Sequence, residues 1–192
     1  MKKIALFASG SGSNVQRIYE YFQHNEDIQI EIVMCNNSKA GVLKRCQNLR
    51  IKYSIFDKHD LMSSTKVLDM LTFYRIDFIA LAGFLLLVPP NILTQFPKKI
   101  INIHPALLPK YGGKGFYGLK VHESVIKAKE KESGITIHYV NEKFDAGDII
   151  FQATCPVEDA ETPETLALKI HDLEYKYYPV IIEKLLMHDD TK

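Results

Sequence analysis

The chain has 192 residues and a nearly balanced charge, with 24 lysines and arginines against 23 aspartates and glutamates. That length suits one domain with a substantial core, and the charge balance gives no reason to expect nucleic acid or an anionic membrane as a partner. The three cysteines lack metal-type spacing, and no apolar stretch reaches the roughly 20 residues of a membrane span. We therefore expect a cytoplasmic protein with no metal site, disulfide framework or transmembrane helix.

The first hundred residues alternate between strands and helices. The apolar run Ile4–Ala8 predicts a buried strand, and a helix should start near Asn14, where apolar residues begin to recur at helical spacing. Further strands are predicted at Ile28–Cys35, Tyr53–Phe56, Phe78–Ala82 and the run ending at His104, and helices at Ala40–Leu49, Val67–Tyr74 and Pro90–Gln95. Successive βαβ units of this kind predict an α/β, Rossmann-like fold, with a mostly parallel twisted sheet and helices on both faces.

Beyond Pro109 the pattern changes. Residues 110–118 contain four glycines and predict a loop. A last helix is predicted from Pro163 to Met187, capped by Thr162 and kinked by Pro179. Between the loop and this helix, the sequence predicts a helix over Lys120–Lys129 and strands at Gly134–Val140 and Ile149–Val157. We expect a single domain, residues 1–192, made of two halves, 1–100 and 101–192.

The strand ending at His104 carries an amide and an imidazole. Alternate residues of a strand point to opposite faces, so Asn102 and His104 share one face while Ile101 and Ile103 share the other. Because Pro105 has no N–H to donate, the chain must leave the sheet directly after His104. The two polar side chains are therefore expected at the carboxyl end of a strand, where open α/β sheets place their ligand crevices. The alternative is a polar strand end with a hydrogen-bonded structural histidine.

The loop after the first strand, residues 9–14, is rich in glycine and serine. Small residues let backbone N–H groups approach an anion at a helix N-terminus, which suits the phosphate of a small substrate. The loop lacks the third glycine of a dinucleotide fingerprint, since Val15 stands there, and no Walker A Gly-Lys-Ser/Thr follows. The alternative is an ordinary tight turn in which Ser13 caps the helix.

A third signal lies at Asp145, in the sequence Asp-Ala-Gly-Asp. Gly147 permits a sharp turn, so Asp145 is expected at a loop tip, where an aspartate often serves only the turn itself. Together with Asn102 and His104, however, it supplies the groups that stabilise an oxyanion and move a proton in acyl transfer. No serine or cysteine is obviously placed as a nucleophile beside His104, which favours direct transfer over a covalent intermediate.

Several motifs resemble those of the folate-dependent formyltransferase family. They are Asn102-x-His104-Pro-x-Leu-Leu-Pro109, Ala82-Gly83-Phe84 and Thr136-x-His138 followed by Asp145-x-Gly147. The glycine loop and the chain length resemble in particular the members that act on glycinamide ribonucleotide in purine synthesis. The resemblance covers nearly the whole chain, and it implies formyl transfer from 10-formyltetrahydrofolate, as co-substrate, to the amine of that ribonucleotide, with no metal.

The resemblance also implies roles for individual residues. Asn102 would donate to the formyl oxygen, protonated His104 paired with Asp145 would be a second donor, and Asp145 would help to carry the proton. Thr136 and His138 share a strand face and are candidates for the pocket. The ribonucleotide would be held in the first half, with Glu174 reaching it from the last helix; the loop residues concerned are Gly10, Ser11, Gly12, Ser13 and Asn14. The folate would contact Phe84, Leu85, Leu86, Leu87, Val88, Val140, Asn141 and Asp145.

Some positions depart from the family pattern or lie outside it. His171 stands where a basic or polar phosphate partner is expected, and the folate segment lacks an arginine. The remaining histidines are expected to be solvated, and they are His24, His59, His122 and His188. The expected partners are small molecules, with a homodimer also allowed.

Three other functions compete with this interpretation. A formyltetrahydrofolate hydrolase would use the same catalytic residues but usually carries an extra amino-terminal domain, for which no room is expected before Lys3. A methionyl-transfer-RNA formyltransferase adds a carboxyl-terminal RNA-binding domain, for which the chain is expected to end too soon. A non-catalytic nucleotide-binding module on the same scaffold is the third, because fold alone does not fix function.

Overall fold

The computed structural model describes the backbone of residues 1–188 and the side chains of residues 1–187. In this part of the chain, seven strands form one sheet in the order β3-β2-β1-β4-β5-β6-β7. The pairs among β1 to β5 are parallel, and β6 and β7 are added antiparallel. The strands are β1 (Lys2–Ala8), β2 (Ile28–Cys35), β3 (Tyr53–Ile55), β4 (Phe78–Leu81), β5 (Ile100–His104), β6 (Glu132–Tyr139) and β7 (Ile149–Pro156). The predicted mostly parallel α/β fold is confirmed.

Helices connect the strands and cover the sheet. They are α1 (Ser13–Phe22), α2 (Gly41–Leu49), α3 (Lys58–Met62), α4 (Lys66–Phe73), α5 (Pro90–Gln95), α6 (Leu119–Lys127) and α7 (Pro163–His188). The sequence analysis missed only α3 among them, although its signal is present. Asp57 accepts a hydrogen bond from the Asp60 amide at 2.7 Å, and Asp60 accepts one from the Asp57 amide at 3.1 Å. This reciprocal capping stabilises a helix that is too short to show a hydrophobic period.

The two faces of the sheet bury separate cores. Along β1, Ile4 and Leu6 pack into the core beneath α1 and α7, whereas Phe7 packs into the core beneath α4 and α5. Ile101 and Ile103 of β5 belong to the first core, as their alternation predicted. The opposite face of β5 is therefore free to carry Asn102 and His104, and this is where the candidate site lies.

The long helix α7 is fixed to the sheet beside this site. It begins after Thr162, whose Oγ1 accepts a hydrogen bond from the Thr165 amide at 3.2 Å, so the predicted N-cap is confirmed. It continues through Pro179 without ending. The Tyr178 hydroxyl is fully buried and donates to the carbonyl of Leu81, at 2.9 Å, at the end of β4. No helix in the described part of the chain is long and apolar enough to cross a membrane.

Candidate active site

Four polar side chains occupy one face of the sheet where β5 meets β6. The antiparallel register places Asn102 opposite His138 and His104 opposite Thr136. The alternation of each strand was predicted from the sequence, and the pairing register brings the two polar pairs together. His104, Thr136 and His138 are each at most 3% exposed. Polar groups this deeply buried require hydrogen-bond partners, and these partners define the geometry of the site.

Asp145 reaches this polar face from the turn between β6 and β7. The turn folds closely against the end of β6, because a Cβ on Gly147 would overlap the carbonyl oxygen of Tyr139. Asp145 itself adopts a left-handed conformation with φ of 51°. Its Oδ1 lies 3.4 Å from Nδ2 of Asn102, and its Oδ2 lies 3.5 Å from Nδ1 of His104. The structure therefore brings the three predicted catalytic residues into one cluster.

The hydrogen bonds of His104 determine which of its nitrogens can change protonation. Its Nε2 lies 2.8 Å from the carbonyl oxygen of Tyr111. Because a carbonyl only accepts, Nε2 carries a proton, and Nδ1 is left facing Asp145. Burial lowers the pKa of His104, against the opposing effects of Asp145 and the Tyr111 carbonyl. Burial thus favours the neutral imidazole over the protonated form that the family resemblance implied, unless negative charge beyond that of Asp145 develops near the ring.

Asp145 is ionised in this setting. Burial acts to raise its pKa, but the nearby His138 and His104 imidazoles and the hydrogen bond from the Gly113 amide together lower it. The Gly113 N–H donates to Oδ2 at 2.9 Å. Asp145 is therefore a carboxylate that faces both Asn102 and His104 at distances too long for strong hydrogen bonds.

His138 orients the amide of Asn102. Its Nδ1 lies 2.8 Å from the carbonyl oxygen of Tyr139, so Nδ1 is the protonated nitrogen. Nε2 is then an acceptor, and it lies 3.1 Å from Nδ2 of Asn102. This bond fixes the amide with its NH2 group toward Asp145. The second N–H of Asn102 has only the 3.4 Å contact with Asp145, so it can turn to a stronger acceptor.

Thr136 supports the site from beneath it. Its hydroxyl donates to the carbonyl of Ala106 at 2.7 Å and accepts from the amide of Leu108 at 2.9 Å. The side chain is fully buried. Both contacts are to residues 105–113, which we call the strap because this segment crosses over the polar face after β5. Thr136 thus holds the strap, and its hydroxyl does not face a substrate pocket.

The glycine-rich loop leads directly into α1. Gly12 is the N-cap residue, with φ of 77°, and no side chain caps the helix. The alternative in which Ser13 caps the helix is therefore wrong. A Cβ on Gly12 would overlap the side chain of Val42, so both the conformation and the packing require glycine. Gly10 and Ser11 are exposed. The loop and the N-terminus of α1 are thus open to an anion.

Polar atoms without partners lie at the base of this loop. Asn14 donates from Nδ2 to Oε2 of Glu174 at 2.9 Å. Its Oδ1 is buried and has no hydrogen-bond partner among the described residues, and the same is true of Nδ1 of His171. That His171 nitrogen lies 3.8 Å from Oε2 of Glu174. Burial raises the pKa of Glu174 to about 7, against the opposing hydrogen bond from Asn14. The arrangement is suited to a ligand with hydroxyl and anionic groups.

The predicted folate-binding residues do not all face solvent. Phe84 and Val88 are 8% and 4% exposed and belong to the second core, where the Phe84 ring meets Phe7 edge-on at 5.3 Å. These two side chains are therefore core residues. The folate contacts predicted at the two positions stay a prediction, and backbone groups would make them. Leu85 is 47% exposed, and its amide donates to Oγ of Ser9 at 3.0 Å. Partly exposed positions complete the predicted segment, and they are Leu86, Leu87, Val140 and Asn141.

Two features of the site were not foreseen. His122 was expected to be solvated but is 3% exposed, and its Nδ1 has no partner among the described residues. His122 lies one residue after Val121 and three before Val125, which are the other buried residues of α6. This helical spacing could have revealed that His122 is buried. The Tyr111 carbonyl that binds His104 has no sequence signal. His24 and His59 are exposed as predicted, and the side chain of His188 lies outside the described residues.

Within the described residues, one group has carboxylates and a histidine close enough to share a cation. It consists of Asp57, His59 and Asp60, which are far from the polar face in sequence. Asp57 and Asp60 cap α3, and Asp60 also pairs with Lys66 at 2.7 Å. These contacts already account for the cluster, so it is not an argument for a metal.

Comparison with known proteins identifies the relatives of this chain. Residues 2–182 match the family model described as formyl transferase. The chain is 38% identical over 187 residues to the chloroplastic phosphoribosylglycinamide formyltransferase of Arabidopsis thaliana, covering 94% of this chain and 64% of that protein. It therefore spans just under two thirds of that relative. It is 35% identical over 191 residues to phosphoribosylglycinamide formyltransferase of Bacillus subtilis, covering 97% of this chain and 95% of that protein.

A solved structure resembles the whole fold. The glycinamide ribonucleotide transformylase 1 of Geobacillus kaustophilus superposes with a TM-score of 0.88 at 34% identity. The superposition covers 97% of this chain and 99% of that one.

Proposed function

The chain belongs to the formyl transferase family, and on that premise we propose that it transfers a formyl group from 10-formyltetrahydrofolate to the amine of glycinamide ribonucleotide. The observation that carries the proposal is the cluster of Asn102, His104 and Asp145 at the carboxyl end of β5. The names of the relatives supply the substrate, since glycinamide ribonucleotide is what those proteins formylate. The reaction would serve purine synthesis.

The transfer forms one bond to the formyl carbon and breaks another. The substrate amine attacks this carbon, the formyl oxygen becomes an oxyanion, and the bond to the folate nitrogen then breaks. One proton must leave the attacking amine, and one must reach the departing nitrogen. Asn102 is proposed to donate its second N–H to the oxyanion, replacing the long contact to Asp145. An oxyanion donor of this kind typically contributes about 10²- to 10³-fold to turnover.

His104 is proposed to become charged as the oxyanion develops. The Tyr111 carbonyl keeps the proton on Nε2, so Nδ1 is the atom that gains a second proton. Negative charge on the substrate opposes the effect of burial and raises the pKa of His104 toward protonation. Asp145, 3.5 Å from that nitrogen, would pass to it the proton that leaves the amine and stabilise the resulting imidazolium. The same proton would then be returned to the departing folate nitrogen. Positioned proton transfer typically contributes about 10²- to 10⁴-fold.

The ribonucleotide is proposed to bind in the first half of the chain. The loop at Gly10–Asn14, in which Gly10 and Ser11 are exposed, and the N-terminus of α1 suit its phosphate. Glu174 would accept hydrogen bonds from ribose hydroxyls, and the unpaired Oδ1 of Asn14 and Nδ1 of His171 would gain partners. We propose that the second half, residues 101–192, carries the catalytic residues and binds the folate. Leu85–Leu87, near the end of the first half, would also contact the folate.

The folate is proposed to lie between the segment after β4 and the turn before β7. Leu85 offers an exposed apolar side chain, and Leu86 and Leu87 are partly exposed. Asn141 lies at the other side, where its Oδ1 accepts from the Lys143 amide at 2.9 Å and shapes the turn. Apolar walls with backbone groups at their edges are typical of sites for a flat heterocycle.

The test is formyl transfer by the purified protein with and without glycinamide ribonucleotide. We expect turnover, followed by the absorbance of the folate product, to require the ribonucleotide and to fall by about 10² or more in Asn102→Ala. Folate release that ignores the ribonucleotide would instead assign the protein as a hydrolase. Binding of the ribonucleotide without any turnover would leave only a binding module.

We also propose a homodimer and a cytoplasmic location. β7 is an edge strand of eight residues without a charged side chain, and such an edge can pair with a second copy. Sedimentation of the protein across a concentration series tests this, and a single monomeric species would refute it. Cys35 and Cys46 are buried free thiols, which suits a reducing compartment. The plant relatives are named as chloroplastic, so location varies among relatives.

A further inference from the structure

The strap over the polar face is held at its two ends by residues of the site. Near its start, Leu108 donates to Thr136 at 2.9 Å. At its end, Gly113 donates to Asp145 at 2.9 Å. Between these points the strap must present the Tyr111 carbonyl to His104, and neither end contact fixes the direction of that carbonyl.

Tyr111 makes two hydrogen bonds in opposite directions. Its carbonyl oxygen accepts from Nε2 of His104 at 2.8 Å, and its hydroxyl donates to Oε1 of Glu130 at 2.8 Å. The backbone of Tyr111 is left-handed, with φ of 56°, which is unfavourable for a bulky residue. Such a conformation persists only where contacts hold it. The hydroxyl bond to Glu130 is therefore an anchor for the strap and hence for the carbonyl that binds His104.

Glu130 is itself well fixed. It follows the end of α6, where Lys129 donates to the carbonyl of Ile126 at 2.9 Å and Glu130 donates to that of Val125 at 3.3 Å. These are the bonds that close a helix C-terminus. Side-chain hydrogen bonds from Lys110 and Tyr111 lower the pKa of Glu130, so it is a carboxylate at neutral pH. The anchor is thus a charged acceptor on a rigid element.

Packing alone does not fix Tyr111. A cavity of about 240 Å³ opens beside it, lined by Leu107, Leu108, Lys110, Glu130 and Ser133 among others. The Tyr111 ring meets Phe116 of the 110–118 loop at a centroid distance of 6.4 Å, and it packs against the edge of the first core. Because space is available on the cavity side, the ring can move when its hydroxyl loses Glu130. The hydrogen bond therefore acts together with the packing to set the position of the ring.

We propose that Glu130 is a positioning residue for His104, acting through Tyr111. The carboxylate holds the tyrosine hydroxyl, the tyrosine holds the strap, and the strap carbonyl keeps the proton on Nε2 of His104. Nδ1 then remains the nitrogen that faces Asp145 and the substrate. The proposal rests on the proposed function for its catalytic consequence, but the hydrogen-bond chain exists independently of turnover.

The test compares four variants of the full chain. Tyr111→Phe and Glu130→Ala each remove the anchor, and Glu130→Gln keeps an acceptor for the tyrosine hydroxyl. Asp159→Ala is the matched control. Asp159 forms an exposed ion pair at 2.8 Å with Lys131, the residue that follows Glu130. The first readout is the titration of the His104 imidazole by NMR, which needs no substrate. The second is the pH profile of kcat with KM for both substrates.

We expect both anchor variants to make the imidazolium of His104 about three- to tenfold more acidic, because it loses a well-placed acceptor. The alkaline limb of the kcat profile should move to lower pH, kcat should fall by a similar factor, and KM should stay within about twofold. Glu130→Gln should retain most of the parent behaviour, and Asp159→Ala should match the parent protein. An unchanged His104 titration in Tyr111→Phe and Glu130→Ala would overturn the proposal. Absence of turnover in the parent protein would instead overturn the proposed function. The titration of His104 would still decide whether Glu130 is a positioning residue. If Tyr111→Phe does not fold, Glu130→Ala decides alone.

Discussion

Replacing Glu174 by glutamine should change stability in a pH-dependent way. Glu174 is 7% exposed, and burial raises its pKa to about 7 from an ordinary value of 4.5. Below pH 4.5 the carboxyl is protonated in both the folded and the unfolded protein, so it carries no penalty. Between 4.5 and 7 the unfolded chain ionises first, and stability is lost as the pH rises. Above pH 7 the full penalty is present.

The size of that penalty follows from the pKa. The difference between 4.5 and about 7 corresponds to about 3 kcal/mol, as an upper bound, at about 1.4 kcal/mol per pH unit. Glutamine has the same shape, stays neutral, and can still accept the hydrogen bond that Asn14 donates. Glu174→Gln should therefore gain up to about 3 kcal/mol over the parent at pH 8, relative to their difference at pH 4.5.

Urea unfolding at pH 4.5 and pH 8 measures this gain. With an m-value of about 2 kcal/mol/M, the midpoint of the variant should rise by up to about 1.5 M more at pH 8 than at pH 4.5. Glu164→Gln, at an exposed position on the same helix, is the control and should show no such difference. An equal shift at both pH values would refute the reasoning. The KM for the ribonucleotide should rise about 10- to 100-fold, since hydrogen bonds to a charged acceptor are lost.

Two further substitutions test other parts of the structure. His122→Leu should stabilise the protein by about 1 to 2 kcal/mol more at pH 5 than at pH 8. Burial lowers the pKa of His122 to about 4, so the parent protein loses stability as the pH falls below 6.5. Urea unfolding measures this difference, and a pH-independent effect would contradict it. Gly147→Ala should lower kcat by about 10²-fold, because its Cβ would overlap the Tyr139 carbonyl and shift Asp145. Ala146→Gly is the control, and unchanged kcat in Gly147→Ala would show that the turn tolerates the shift.

The sequence was sufficient where a regular period carried the information. The alternation along β5 placed Asn102 and His104 on one face and left the isoleucines to the core, as observed. The same rule could have predicted the burial of His122, because α6 repeats its buried positions at helical spacing. The rule could not say which residue of β6 lies opposite Asn102. That pairing depends on the register of two strands, which the period leaves free.

Other features had no period to reveal them. Residues 84–88 form a short apolar run with no clear period. The ring of Phe84 turns inward against Phe7 and Phe56, which are distant in sequence. The acceptor for His104 is a backbone carbonyl, which every residue possesses, so the identity of Tyr111 could not indicate it. Its hydroxyl bond to Glu130 spans 19 positions and depends on how α6 ends.

The two parts of the candidate site use opposite physical strategies. The polar face satisfies its own groups, since His138, Thr136 and the strap provide partners before any substrate is present. Such preorganisation lets the donors meet a developing charge without rearrangement. At the base of the glycine-rich loop, in contrast, Asn14 and His171 have buried polar atoms with no partner among the described residues, and each typically costs about 1–3 kcal/mol. A ligand that supplies these partners regains that free energy on binding. Ribonucleotide affinity should therefore rise with pH through about 7, as Glu174 ionises and becomes a stronger acceptor.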